Sequence, residues 1–214
     1  MEPIMKMHSV SFAIATTVMY FIWDYFSKIQ SSSWIINLIL TFIFSVTFYK
    51  IVCKFILFSS KKIRLIRKMM LGKYYLEGLW VGYYVVDGQA EYYYELFEQT
   101  LEGLTIVGKA FDEKKNYIGE WSIIHPNINI SESKFTYYYE MNDISSENIL
   151  LGYSRATIYW DKHENAEKLV GFAVDSLSSE KQYYTSQKIN HVFSQSWIDN
   201  NFWDEVKKLQ TQIP

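Results

Sequence analysis

Residues 34–49 of this chain read WIINLILTFIFSVTFY, an apolar run interrupted only by uncharged polar side chains. A helix needs about 20 residues to cross the hydrocarbon core of a bilayer. Lys50 and Lys54 follow the run, and their long side chains can extend to the lipid headgroups while their apolar neighbours stay in the hydrocarbon. The stretch therefore predicts a transmembrane helix over residues 34–58. The alternative is a buried helix of a soluble core.

The segment that follows this run is strongly basic. Residues 50–73 carry eight lysines or arginines and no acidic side chain. Cationic segments beside a span stay on the cytoplasmic side, where each charge contributes roughly 1 kcal/mol at an anionic leaflet. We therefore expect a basic juxtamembrane linker on the cytoplasmic side, residues 61–76. A buried core helix is disfavoured because it rarely ends in so many cations without counter-charges.

An earlier apolar segment, residues 9–28, contains a single acidic residue, Asp24. It predicts a first membrane span, joined to the second by the polar residues 30–33. Together the two spans form a transmembrane helical hairpin within residues 1–60, with both termini in the cytoplasm. A signal peptide is the alternative, but the segment ends in bulky aromatic residues and lacks a small-residue cleavage site.

The charge of the chain is divided between its two parts. Residues 1–76 carry a net charge of +8 and residues 77–214 a net charge of −10. The basic part suits an anionic lipid surface, whereas the acidic part disfavours binding to DNA or RNA polymers. Cys53 is the only cysteine, so a disulfide within the chain is excluded.

From residue 77 the apolar pattern changes to a period of two, which is typical of strands. Eight strands are predicted, over residues 77–86, 90–99, 101–111, 117–125, 134–141, 149–160, 168–175 and 181–190. Short connections with turn residues indicate that neighbours pair antiparallel. We expect a small β-barrel over residues 77–193 rather than a sandwich, because closure leaves no unpaired strand. Residues 194–214 predict an amphipathic helix that plugs or lies along one end of the barrel.

The alternation also suggests which side chains share a face. In the second strand Tyr92 and Tyr94 fall on one face, whereas Glu91 and Glu95 mark solvated positions on the other. In residues 134–141 the aromatic side chains, Tyr137 and Tyr139 among them, oppose a more polar face.

The sequence lacks the usual constellations of an enzyme. Its four histidines are scattered without metal-ligand spacing, and no nucleophile elbow or phosphate-binding glycine loop is present. We therefore predict no catalytic function, no metal and no cofactor.

What remains is an aromatic barrel whose interior could hold one small ligand. Tyrosine brings a hydroxyl that needs a partner, whereas a solid core prefers branched aliphatic residues. Arg155 is the only arginine after Arg67, and its planar cation suits a phosphate or a base edge. The predicted ligand-binding residues are Arg155, Tyr153, Thr157, Tyr137, Tyr139, Trp121, Tyr92 and Tyr94. Ordinary core packing of the aromatics, and an outward Arg155 paired with a glutamate, are the open alternatives.

The order of these segments resembles a known family. Two apolar helices, a basic linker and a barrel that begins LEGLWVGYY at residues 76–84 are similar to the membrane effectors of bacterial CBASS anti-phage systems with two transmembrane helices and a β-strand-rich domain. The resemblance implies that the barrel binds a cyclic nucleotide second messenger, a cyclic dinucleotide, on the cytoplasmic side of the bacterial inner membrane. It also implies that the anchored copies then assemble, disrupt the membrane and kill the cell.

Two other functions are compatible with the sequence. A Gly-x-Trp on the first strand also occurs in lipocalins, so a membrane-tethered barrel that binds a lipid or another hydrophobic molecule is the main alternative. A structural subunit whose barrel docks a partner protein is the third. A lipid site predicts an interior without Arg155 and with an apolar floor.

Overall fold

A computed structural model describes residues 2–29, 34–86, 88–144, 149–176, 180–189 and 195–210. The chain divides into two compact units. The helical unit runs to Gly72 and includes residues 100–102, and the barrel unit contains the rest of the chain from Lys73 onward.

The helical unit has three helices: α1 (Pro3–Ile29), α2 (Trp34–Lys62) and α3 (Arg64–Leu71). α1 begins six residues earlier than the predicted span, with a proline in its first turn, where the missing N–H costs no hydrogen bond. The predicted basic linker contains α3 and a 3-10 turn, Gly72–Tyr74. α3 ends at Gly72, which has φ of 57° and whose N–H bonds to the carbonyl of Lys68.

α1 and α2 contact each other, and the Tyr49 hydroxyl lies 2.7 Å from His8 Nδ1. Both helices also turn large apolar side chains outward; Phe21 is 65% exposed and Phe42 is 69% exposed. In the described part of the chain one helical stretch, Thr41–Lys62, is long and apolar enough to cross a membrane, with a mean hydropathy of 1.7. The span expected in α1, and the two-span anchor as a whole, stay predictions.

The barrel unit contains eight antiparallel strands that close on themselves in chain order, and β1 pairs with β8. The strands are β1 (Gly78–Val86), β2 (Gln89–Gln99), β3 (Leu104–Phe111), β4 (Tyr117–Asn129), β5 (Lys134–Asp143), β6 (Ile149–Trp160), β7 (Ala166–Asp175) and β8 (Gln182–Ile189). The predicted eight-stranded barrel is confirmed, and the sandwich alternative is excluded by the closure.

One strand differs clearly from its predicted length. β4 continues past Pro126 to Asn129, because the register against β5 shifts between Ile124 and Asn127. His125 at this bulge has φ of 51°. A bulge accommodates a residue that donates no ladder hydrogen bond, which is why a proline that resembled a turn signal lies inside a strand.

Side chains alternate between the interior and the outer wall of the barrel. Trp80, Phe97 and Phe135 are buried in the interior, and the Trp80 indole donates to the carbonyl of Leu76 at 2.9 Å. α4 (Gln195–Gln210) lies on the outer wall instead of plugging an end. Its buried residues pack against the outward side chains of β1 and β2, namely Leu79, Val81, Tyr92 and Tyr94.

Candidate ligand-binding site

A cavity of about 60 Å³ lies inside one end of the barrel, where β1 ends and β2 begins. Six aromatic side chains and one carboxyl group form most of its wall: Tyr84, Tyr93, Trp121, Tyr137, Tyr139, Tyr184 and Glu95. The cavity is partly open, and Met141 and Gln182 at its rim are half-buried. This cavity is therefore reachable from outside the barrel.

Glycines on the interior face make room for these rings. A Cβ on Gly108 would lie 2.1 Å from the indole of Trp121, which is directly opposite in the register of β3 and β4. A Cβ on Gly152 would lie 2.1 Å from the ring of Tyr139 on the neighbouring strand. Real Cβ contacts are never so short, so a side chain at either glycine would displace the ring that lines the cavity.

Glu95 is the polar centre of this site. Its side chain is 2% exposed, and its Oε1 accepts from Trp121 Nε1 at 3.1 Å and from the Tyr137 hydroxyl at 3.0 Å. Burial raises the pKa of the Glu95 carboxyl from 4.5 to about 7, and the two hydrogen bonds limit that rise. The group therefore changes charge close to neutral pH.

The tyrosine hydroxyls around Glu95 differ in their partners. The Tyr184 hydroxyl bonds to Ser154 Oγ at 2.8 Å, whereas the buried Tyr93 hydroxyl has no partner with hydrogen-bond geometry among the described residues. Burial, followed by the nearby Glu95, raises the pKa of Tyr93 and of Tyr137. Both phenols therefore stay neutral. The Tyr137 hydroxyl already donates to Glu95, so the Tyr93 hydroxyl is the one that can donate to a bound group.

Three of the predicted site residues meet at this cavity. Trp121, Tyr137 and Tyr139 all line it. Tyr92 and Tyr94 do not, because they face outward and lie under α4, where Tyr94 contacts Phe202 edge to face. The expected face of β2 was therefore wrong: its tyrosines at 92 and 94 point away from the interior, and Glu95 points into it.

The predicted residues of β6 also lie on the outer wall. Arg155 and Thr157 are exposed, and Tyr153 packs against Tyr138 with ring centroids 5.4 Å apart. The interior positions of this strand are Ser154 and its alternate neighbours. Arg155 therefore adopts the outward alternative and does not join the aromatic cavity.

A second cavity, of about 420 Å³, lies between α4 and the outer wall. Aromatic rings line it, together with Lys109 and Asp199. Lys109 Nζ is 3.9 Å from a carboxylate oxygen of Glu120, and both side chains are well exposed. The interior cavity is the stronger candidate because its carboxyl group is buried and directed at the space that a ligand would enter.

No protein-family model matches the sequence, and no curated protein matches it either. Among the described residues there is no cluster of side chains suited to hold a metal ion.

Proposed function

We propose that this protein is a membrane-anchored effector whose barrel binds a cyclic dinucleotide at the aromatic cavity, after which copies associate and disrupt the bacterial inner membrane. The observation that carries the proposal is the half-open cavity of aromatic rings around a buried carboxyl group. Rings of this kind stack with nucleobases, and each stacked base contributes about 1–3 kcal/mol.

The size of the cavity sets how such a ligand would bind. About 60 Å³ is well below the roughly 300–1,000 Å³ of a site that encloses a drug-sized molecule. A base therefore enters only by its edge, unless rings at the rim such as Tyr139 turn aside. Ligand binding would then shift the barrel between two arrangements of these rings, and the displaced rings would change the outer surface of the barrel.

The charges of the site decide which part of the ligand enters. Among the described residues that line the cavity there is no lysine or arginine, and Glu95 would repel a phosphate. The two phosphates of a cyclic dinucleotide therefore remain outside the rim, in water, while a base edge points inward. This arrangement differs from the phosphate contact first expected for Arg155.

The helical unit supports the membrane part of the proposal. The apolar stretch Thr41–Lys62 is followed by further cations, and large side chains such as Phe12 and Phe55 are turned outward on α1 and α2. A soluble protein rarely exposes so much contiguous apolar surface. We place the protein in the inner membrane as a multi-pass protein with cytoplasmic termini and barrel.

The alternative function is a lipocalin-like barrel that binds a lipid or a hydrophobic small molecule. The absence of Arg155 from the interior favours it. The buried carboxyl of Glu95 opposes it, because an acyl chain offers no donor to Oε2, the oxygen that receives neither of the hydrogen bonds from Trp121 and Tyr137.

A leakage assay tests the proposal. Full-length protein is reconstituted in dye-filled vesicles containing anionic lipid, and a panel of cyclic dinucleotides is added. We expect one or more of them to release dye, and to bind the detergent-solubilised protein in calorimetry. Tyr139→Ala, in the cavity wall, should abolish both effects, whereas Tyr159→Ala, an exposed tyrosine of β6, should preserve them.

Near-ultraviolet circular dichroism checks that both variants keep the barrel packed. Absence of binding by every cyclic dinucleotide would contradict the proposal, and saturable binding of a fatty acid in its place would establish the lipid alternative.

A further inference from the structure

Glu95 is the one charged side chain among the described residues that line the interior cavity. Its two carboxylate oxygens are in different situations. Oε1 accepts hydrogen bonds from Trp121 and Tyr137, whereas Oε2 has no hydrogen bond to any described residue. An ionised carboxylate only accepts hydrogen bonds, so Oε2 has capacity for donors that the protein does not supply.

We infer that Glu95 is the specificity-determining residue of the barrel and selects a flat ligand edge that donates N–H groups, as guanine or a guanidinium-type cation does. Where the ligand is a guanine-containing cyclic dinucleotide, this inference rests on the proposed function. Guanine and a guanidinium-type cation share a flat edge of N–H donors, so either can supply the group that Glu95 selects.

The size of the site admits only the edge of a group. The rings of Tyr93 and Trp121, with centroids 5.7 Å apart, and those of Tyr137 and Tyr139, with centroids 6.4 Å apart, contact each other edge to face. The space beside Glu95 is therefore the cavity of about 60 Å³ itself, which takes the thin edge of a planar group more easily than a bulky group. A positive or electron-poor edge gains further from the quadrupoles of the surrounding rings.

The ionised form of Glu95 requires a donor. A ligand carbonyl placed at Oε2 of the carboxylate would set two acceptors against each other in a space of low polarity, which is costly. A ligand N–H at the same place forms a charge-assisted hydrogen bond, about twice as strong as a neutral one. Guanine presents N1–H and the N2 amino group on one edge, whereas uracil presents a single N–H between two carbonyls.

Protonation of Glu95 gives the inference a measurable signature. A donor edge favours the ionised carboxylate, so the affinity should rise with pH through about 7, the pKa that burial gives Glu95. The titratable side chains that face this region are Tyr84 (β1), Tyr93 (β2), Tyr137 and Tyr139 (β5), Asp175 (β7), and Tyr184 and Lys188 (β8). Burial raises the pKa of Tyr93, Tyr137, Tyr139 and Tyr184, so these phenols stay neutral from pH 6 to 8.

Calorimetry on full-length protein in detergent micelles tests the inference with three probes, cyclic diguanylate, cyclic diuridylate and methylguanidinium. We expect cyclic diguanylate to bind more tightly than cyclic diuridylate, and about tenfold more tightly at pH 8 than at pH 6, given a pKa near 7. Glu95→Gln should remove the pH dependence and weaken guanine binding at least tenfold, since its amide donates where the carboxylate accepts. Glu98→Gln, on the exposed face of the same strand, should change neither.

The outcomes separate the two proposals. Cyclic dinucleotides that bind wild type and Glu95→Gln equally, with no effect of pH, would overturn the inference and leave the proposed function standing. Methylguanidinium that binds in the pH-dependent, Glu95-dependent manner, while every cyclic dinucleotide of the leakage panel fails to bind, would support the inference and remove the proposed function. Failure of cyclic diguanylate and methylguanidinium to bind would overturn the inference, and the proposed function would then stand or fall with the rest of the panel.

Discussion

The buried carboxyl of Glu95 makes the stability of the barrel depend on pH in a way that one substitution removes. Burial raises the folded-state pKa of this group to about 7, from 4.5 in an ordinary environment. Between these two values the folded chain holds a proton that the unfolded chain has lost. The free energy of unfolding contributed by Glu95 is therefore fully present below about pH 4.5 and is lost as the pH rises through 7.

The size of this effect follows from the two pKa values. Each unit of pKa difference corresponds to about 1.4 kcal/mol, so the contribution lost between pH 4 and pH 8 is about 3 kcal/mol. Glutamine has nearly the same shape, carries no titrating proton, and can still accept from Trp121 and Tyr137. Relative to wild type, Glu95→Gln should therefore gain about 3 kcal/mol of stability over this pH range.

Chemical denaturation of full-length protein in detergent, followed by tryptophan fluorescence, measures this difference at pH 4, 6 and 8. Other groups titrate over the same range, so the quantity compared is variant minus wild type. The exposed Glu98→Gln is the matched control, and it should stay within about 0.5 kcal/mol of wild type throughout. A difference between Glu95→Gln and wild type that does not change with pH would refute the claim that this carboxyl is desolvated among the rings.

Two further predictions concern packing. Gly108→Ala should destabilise the barrel by about 1–3 kcal/mol, because its Cβ would collide with the Trp121 indole. Gly103→Ala is the control, since a Cβ there meets nothing within 4 Å and should not destabilise the barrel. The denaturant midpoints of the two variants measure both effects. Phe202→Ala should lower the free energy of unfolding by about 3–5 kcal/mol, because it leaves a cavity in the apolar cluster between α4 and the wall. The exposed Asn200→Ala is the control. Hydrogen exchange of the α4 amides should become faster only in Phe202→Ala. Unchanged exchange in Phe202→Ala would contradict the packing of α4 on the wall.

The fold of the barrel unit could be predicted because its signals are local. Eight segments with a period of two and short connections leave few topologies, and a closed antiparallel ring is the simplest. The helices α1 and α2 were similarly predictable from the length of their apolar runs. The end of β4 could not be predicted, because a proline such as Pro126 ends most strands. Only the pairing with β5 shows that β4 continues through a bulge.

The site was harder to predict because alternation gives the period of a strand but not which face is inside. Glu95 was placed in solvent because it is charged. The first hairpin held the missing signal: Trp80 is wholly buried, and the register of β1 with β2 puts it directly opposite Glu95. On β6 the same ambiguity led to the prediction that Arg155 faces the interior. The small interior residues of that strand, such as Gly152, are what fit opposite the large rings of β5.

The ring of strands also limits how copies of this protein can join one another. Each strand has two neighbouring strands, since β8 returns to β1, so most of the backbone cannot extend a sheet from one molecule to the next. The main exception is the end of β4, residues 123–129, which pairs with β5 but not with β3. In the assembly that we propose, copies would therefore meet mainly through their helices or through wall side chains such as Tyr138 and Tyr153. Contacts between side chains come apart more readily than backbone ladders of the amyloid kind, so we expect such an assembly to dissociate when the ligand is removed.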